Sequence, residues 1–142
     1  MLLKRYGDTQ AEMGTADEIS DEAKAQFDKL EQLSKDFKSV VEDLYAGRMA
    51  KALDQLQSRL PTLQESLLYL QRLRNRGLIN YHTLSADGKS MADKIPHVSG
   101  ILKELTDAIQ VGDTVLLRDL LEYEILPFIA FLRQIYGQIP IR

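Results

Sequence analysis

The most unusual local text in the chain is Leu120-Leu121-Glu122-Tyr123-Glu124-Ile125-Leu126-Pro127, where two carboxylates and a phenol interrupt an apolar run. On a helix, Glu124 falls among Leu120, Leu121 and Phe128, so its carboxylate faces inward or lines a groove. A carboxylate placed there must find a partner or stay neutral at a raised pKa. The expected partner is an Arg or Tyr from a neighbouring helix, with the bond fixing helix register. The chemical alternative is a small-ligand or enzymatic pocket around Glu124, in which Tyr123 and either His82 or Arg76 would have to converge with it.

Other chemistries have less to build on. His82 and His97 are the only histidines and there is no cysteine. No Glu-x-x-His exists, since residue 79 is Ile and residue 94 is Lys, so the carboxylate-bridged di-iron arrangement of helical bundles is not encoded. Neither a phosphate-binding glycine loop nor a dinucleotide fingerprint occurs, and Asp87-Gly88-Lys89-Ser90 reads as a turn and a helix start. No cofactor, metal or catalytic residue is therefore assigned.

Arg72, Arg74 and Arg76 precede Gly77, the arrangement that ends a helix, because cations and a following glycine suit its C-terminus. With Lys4, Arg5 and Tyr81 they offer a small phosphate-contact patch, the basis of a weak nucleic-acid-binding alternative. The whole chain carries 18 basic and 21 acidic side chains, a net charge of -3, which selects no polyanion. Nucleic acid is thus an unexpected partner.

The elements that must position these residues follow from hydrophobic spacing. Residues 1–16 sustain no period and read as a flexible N-terminal arm. Residues 17–142 read as a single helical-bundle domain with helices at about 17–45, 48–75, 89–110 and 114–136. Ala23, Phe27, Leu30, Phe37, Val41 and Leu44 mark the first, widened by Leu33 and Val40. The second carries Met49, Leu53, Leu56, Leu60, Leu63, Leu67 and Leu70 at alternating steps of four and three. Its Pro61 predicts a kink in a continuous helix, since the stripe resumes in phase at Leu63. Met91, Ile95, Val98, Leu102, Leu105 and Ile109 mark the third, with Pro96 placed to open its main part. Gly112 and Asp113 separate it from the fourth, which is apolar around much of its circumference and contains Pro127. The fold predicted is all-α: a four-helix bundle built from two helix pairs, with proline-bent second and fourth helices.

A 44% hydrophobic share supports a self-sufficient core in 142 residues. Apolar runs are far shorter than the roughly 20 residues that span a bilayer, so no membrane insertion and a cytoplasmic location are expected. The expected function is a non-enzymatic protein-interaction module, such as an adaptor, an assembly or export chaperone, or a small regulatory subunit. Its candidate surface is the fourth helix, where Tyr123, Phe128, Phe131, Leu132 and Tyr136 exceed what one core contact needs. The partner is another protein or a second copy of the chain in a homodimer.

Overall fold

The computed structural model describes residues 16–139. Along the chain lie α1 (Ala16–Tyr45), α2 (Met49–Asn75), a two-strand hairpin of β1 (Ser85–Ala86) and β2 (Lys89–Ser90), and α3 (Met91–Val111). The fourth helix has three parts: α4 (Thr114–Leu120), a π-helical turn (Leu121–Ile125) and α5 (Leu126–Gly137). This is the all-α four-helix bundle of two helix pairs that the spacing predicts. The arm expected at residues 1–16, with Lys4 and Arg5, lies outside the described residues apart from Ala16, which begins α1.

Three helix ends are closed in one way. Gly47 and Gly112 adopt positive φ, 79° and 69°, which a side chain would resist. Past each, the next amide reaches back five residues: Arg48 N–H to Asp43 O at 2.8 Å, and Asp113 N–H to Ala108 O at 3.1 Å. Gly77 ends α2 likewise, with Leu78 N–H donating to Leu73 O at 2.9 Å. These bonds satisfy carbonyls that a helix end otherwise leaves without donors. Because the connections at Gly47 and Gly112 are so short, each pair runs antiparallel.

Packing centres on α1, which lies along both α2 and α5, while α3 packs on α4; α2 and α3 hardly meet. Phe37, Leu56, Leu63, Leu105, Leu121 and Leu132 are wholly or almost wholly removed from solvent. On α2 the buried seam is rotated from the row of large residues. Leu56, Leu63 and Leu70 are buried together with Ala52, Ser66 and Leu73, whereas Leu53, Leu60 and Leu67 are half-buried at its edge. Small side chains at 52 and 66 allow close approach to the neighbouring helices, which large-residue counting overlooks.

A polar thread crosses this core. Tyr136 donates from its hydroxyl to the Ser66 carbonyl, Ser66 Oγ donates to Gln26 Oε1 at 2.8 Å, and Gln26 Nε2 donates to Glu22 Oε2 at 2.9 Å. Ser66 and Gln26 are buried, so these bonds supply partners that water cannot.

The prolines differ in their settings. Pro61 lies inside α2 without ending it, and both Pro61 and Gln57, whose carbonyl it leaves without a helical donor, are exposed to water. Pro96 does not open α3. That helix starts five residues earlier, where Ser90 Oγ accepts from Asp93 N–H at 3.1 Å, and Pro96 stands in its interior. Pro127 directly follows the π turn, in which Leu126 N–H donates to Leu121 O, five residues back. The widened turn relieves the crowding a proline imposes on the preceding turn.

Candidate functional site

The broad apolar face of the fourth helix is core. Phe128, Phe131, Leu132 and Tyr136 are all buried, because α5 lies against α1 and because Lys94 of α3 covers Phe131 with its ammonium 5.2 Å from the ring centre. Of the five residues expected from sequence to form a surface, only Tyr123 is exposed, at 68%.

Tyr123 is exposed because the π turn carries it outward between buried Leu121 and Ile125. It belongs to a second, unforeseen group. Tyr45, the last residue of α1, is 58% exposed and Val115 of α4 is 56% exposed. Arg118 lays its guanidinium 4.2 Å from the centre of the Tyr45 ring. The neighbouring Glu122 carboxylate, followed by burial, raises the Tyr45 pKa, and the Arg118 charge opposes the rise. Val115, Asp119 and Tyr123, at four-residue steps, are all exposed on α4 and the π turn, two elements that meet α1. Exposed Glu42 stands a turn before Tyr45 and exposed Asp119 stands between Val115 and Tyr123, giving the aromatic patch an acidic rim.

Glu124 is half-buried and meets a histidine from α3. His97 Nε2 and Glu124 Oε2 are 3.0 Å apart. The expected cross-helix partner was an Arg or Tyr; the actual one is His97, which α3 presents because the helix begins before Pro96. His82 lies in the connection after α2 and lines the cleft beside Pro96, whereas the contact Glu124 makes is with His97. Among the described residues no group of three or more His, Asp or Glu is placed to hold a metal ion.

The three arginines are not one patch either. Residues two apart on a helix point in different directions, so Arg72 and Arg76 share a side and Arg74 turns from them. Arg74 instead stands 4.6 Å over the ring of Tyr81. These two, with His82, line an open cleft of about 620 Å³ between the end of α2 and the start of α3. The gap exists because α2 and α3 scarcely pack, and the connecting segment fills only part of it.

That segment is held by its own bonds. Thr83 and Leu84 N–H both donate to Asn80 O at 3.1 Å, and His82 N–H donates to Asn80 Oδ1 at 2.8 Å. Leu84 and Tyr81 carbonyls then accept from Met91 and Ala92 N–H at 2.8 and 3.0 Å, satisfying the first donors of α3. Tyr81 is buried, and burial raises its pKa while Arg74 opposes the rise.

A shallower hollow of about 270 Å³ between α1 and α2 is neutralised across its width, by Arg59 with Asp36 at 3.3 Å and Lys29 with Glu65 at 3.7 Å. It leaves no charge for a ligand to satisfy.

A family model described as a domain of unknown function, DUF8042, matches residues 23–135. The chain belongs to that family. The DUF8042 match begins at Ala23 and ends at Ile135, both buried, so it takes in the bundle core, the aromatic patch and the cleft. No curated protein and no solved structure matches the chain. Among the described residues of this DUF8042 bundle, no helix is long and apolar enough to cross a membrane.

Proposed function

We propose that this DUF8042 chain is a non-enzymatic protein-interaction module of the cytoplasm, an adaptor or assembly factor. Its docking surface is the patch of Tyr45, Val115 and Tyr123. The observation that carries the reading is the exposure of two tyrosines, on a helix end and a π turn, together with Val115; the other exposed large apolar side chains among the described residues, Leu68, Leu78 and Val111, are aliphatic. Exposed aromatics are favoured anchors at interfaces, since a large rigid side chain gains area at little entropic cost. π turns recur at functional positions.

The partner is a segment of another protein with apolar anchors flanked by Lys or Arg. Glu42 and Asp119 border the patch, and the Arg118 charge is already occupied by the Tyr45 ring. An amphipathic basic helix meets both requirements. A homodimer across the same patch is the competing occupant, and its identical acidic rims would repel.

Capture from the native cell lysate tests this with wild-type bait beside Y45A/Y123A and beside R74Q. Proteins held by wild type and R74Q, released by added salt and lost on Y45A/Y123A are expected. Retention of the same proteins by Y45A/Y123A contradicts the surface, and a partner consisting only of the chain itself contradicts the basic segment.

A further inference from the structure

We infer that the cleft between α2 and α3 binds a small amphipathic carboxylate, its acid group held by Arg74 and its body laid against the cleft's apolar wall. This goes beyond the docking surface, which lies around the opposite end of α1.

The inference starts from the charge inventory of the lining. The chain is net acidic, yet no Asp or Glu lines this cleft. Its polar side chains present donors. Arg74 has no carboxylate partner among the described residues; its contact is the face of Tyr81, which leaves the edge of the guanidinium, with its N–H groups, open to the cleft. Asn80 has its Oδ1 occupied by the His82 amide, which orients its Nδ2 as the free end. The exposed His82 ring stands beside it. A planar guanidinium matches a carboxylate through two parallel bonds, a geometry a point charge does not offer.

The rest of the wall is apolar. Ile79, Ala92, Ile95 and Pro96 supply it from both sides of the gap, and buried Tyr81 forms part of the floor. A hydrated inorganic anion would gain nothing from these surfaces, whereas a carboxylate with an aromatic or aliphatic body would bury against them. The volume of about 620 Å³ suits such a molecule, being within the range of small-ligand pockets. Pre-organisation comes from the backbone: Asn80 O and Asn80 Oδ1 together tie residues 82 to 84, and Tyr81 O is anchored to Ala92 N–H, so the walls are bonded to one another across the cleft.

The test is a titration of the full-length protein followed by amide chemical shifts, with 2-naphthoate, octanoate, 2-naphthamide and inorganic phosphate as probes. At least one of the two acids is expected to saturate shifts at Tyr81, Thr83, Ala92 and Ile95. The uncharged 2-naphthamide is expected to bind at least tenfold more weakly than 2-naphthoate, and phosphate not to saturate at concentrations where the acid does. Preference for octanoate places the natural ligand among aliphatic acids, and preference for 2-naphthoate among aromatic ones. Arg74→Gln, at an exposed position, should leave the melting temperature near wild type and weaken the acid at least tenfold; Arg74→Lys should restore part of the loss. Four results would overturn the inference: no shift at those amides with either acid, equal binding of acid and amide, phosphate binding as tightly as the acids, or Arg74→Gln without effect.

Discussion

Tyr69 of α2 and Tyr136 of α5 stack with ring centres 6.4 Å apart and planes 18° from parallel, yet their hydroxyls fare differently. Tyr136 donates to the Ser66 carbonyl, whereas the buried Tyr69 oxygen has no hydrogen-bond partner among the described residues. Removing a satisfied buried hydroxyl costs about 1 kcal/mol, and removing an unsatisfied one costs nothing or stabilises. Denaturant unfolding should therefore find Y136F less stable by about 1 kcal/mol and Y69F equal to or more stable than wild type. Equal losses for both would show that the asymmetry is absent.

Alkaline stability follows from the same pair. Burial first, and the nearby Glu22 charge second, push the Tyr69 pKa from 10.0 up to about 12. Burial also raises Tyr136, with its neighbouring tyrosines and Glu22 adding to the rise. A phenol with a raised folded-state pKa favours folding while protonated. Its contribution is complete below pH 10 and is lost as pH climbs through the folded value, because the unfolded chain releases the proton first. Melting temperature should accordingly fall above pH 10, and Y69F should fall less steeply between pH 10 and 12. A Y69F curve parallel to wild type in that window would contradict the assignment.

Two carboxylate contacts of similar length should behave unlike each other. Arg48 Nε bonds Asp43 Oδ1 at 2.9 Å, and the Asp43 side chain is only 3% exposed. His97 and Glu124 are 3.0 Å apart with side chains 58% and 38% exposed. Leaving a buried carboxylate without its cation is costly, although Lys51 at 4.0 Å and the half-exposed arginine moderate the loss. R48A should cost about 2 kcal/mol. E124Q should cost less than about 1 kcal/mol, because water replaces the partner. Thermal unfolding of the two variants checks the order, and a larger loss for E124Q would reverse the account of which carboxylate shapes the bundle.

These contrasts show where the sequence was informative. Helix positions were legible because residues such as Leu56, Leu63 and Leu70 repeat at helical spacing and all are buried. Asp87-Gly88 announced its turn, and the two residues take positive φ, 54° and 78°, in a two-residue hairpin whose strands are too short to leave a period. The apolar breadth of the fourth helix was visible, but its meaning was not. Breadth records how many neighbours a helix touches, and α5 spends Phe128, Phe131 and Tyr136 on them rather than on a partner. Glu122-Tyr123-Glu124 stood out in sequence and does mark the π turn, although nothing local foretold that Glu124 would meet His97. The cleft was half legible: Arg74, Tyr81 and His82 were named for their chemistry, while Ile79, Ala92, Ile95 and Pro96 enter it only because α2 and α3 stand apart.

The aromatic patch gives a further expectation for stability. Tyr45, Val115 and Tyr123 contribute little to the core, so V115D and Y45A/Y123A should each melt within a few degrees of wild type while losing partner binding at least tenfold. A large fall in melting temperature would mean that the patch supports the fold instead.

Hydrogen exchange on the chain, alone and bound to the partner that wild-type bait retains, tests the docking surface most directly. Slowed exchange at residues 42–48 and 115–124 is the predicted result. Protection confined to the exposed side of α2 around Gln57 and Pro61, with those two segments unchanged, would contradict it.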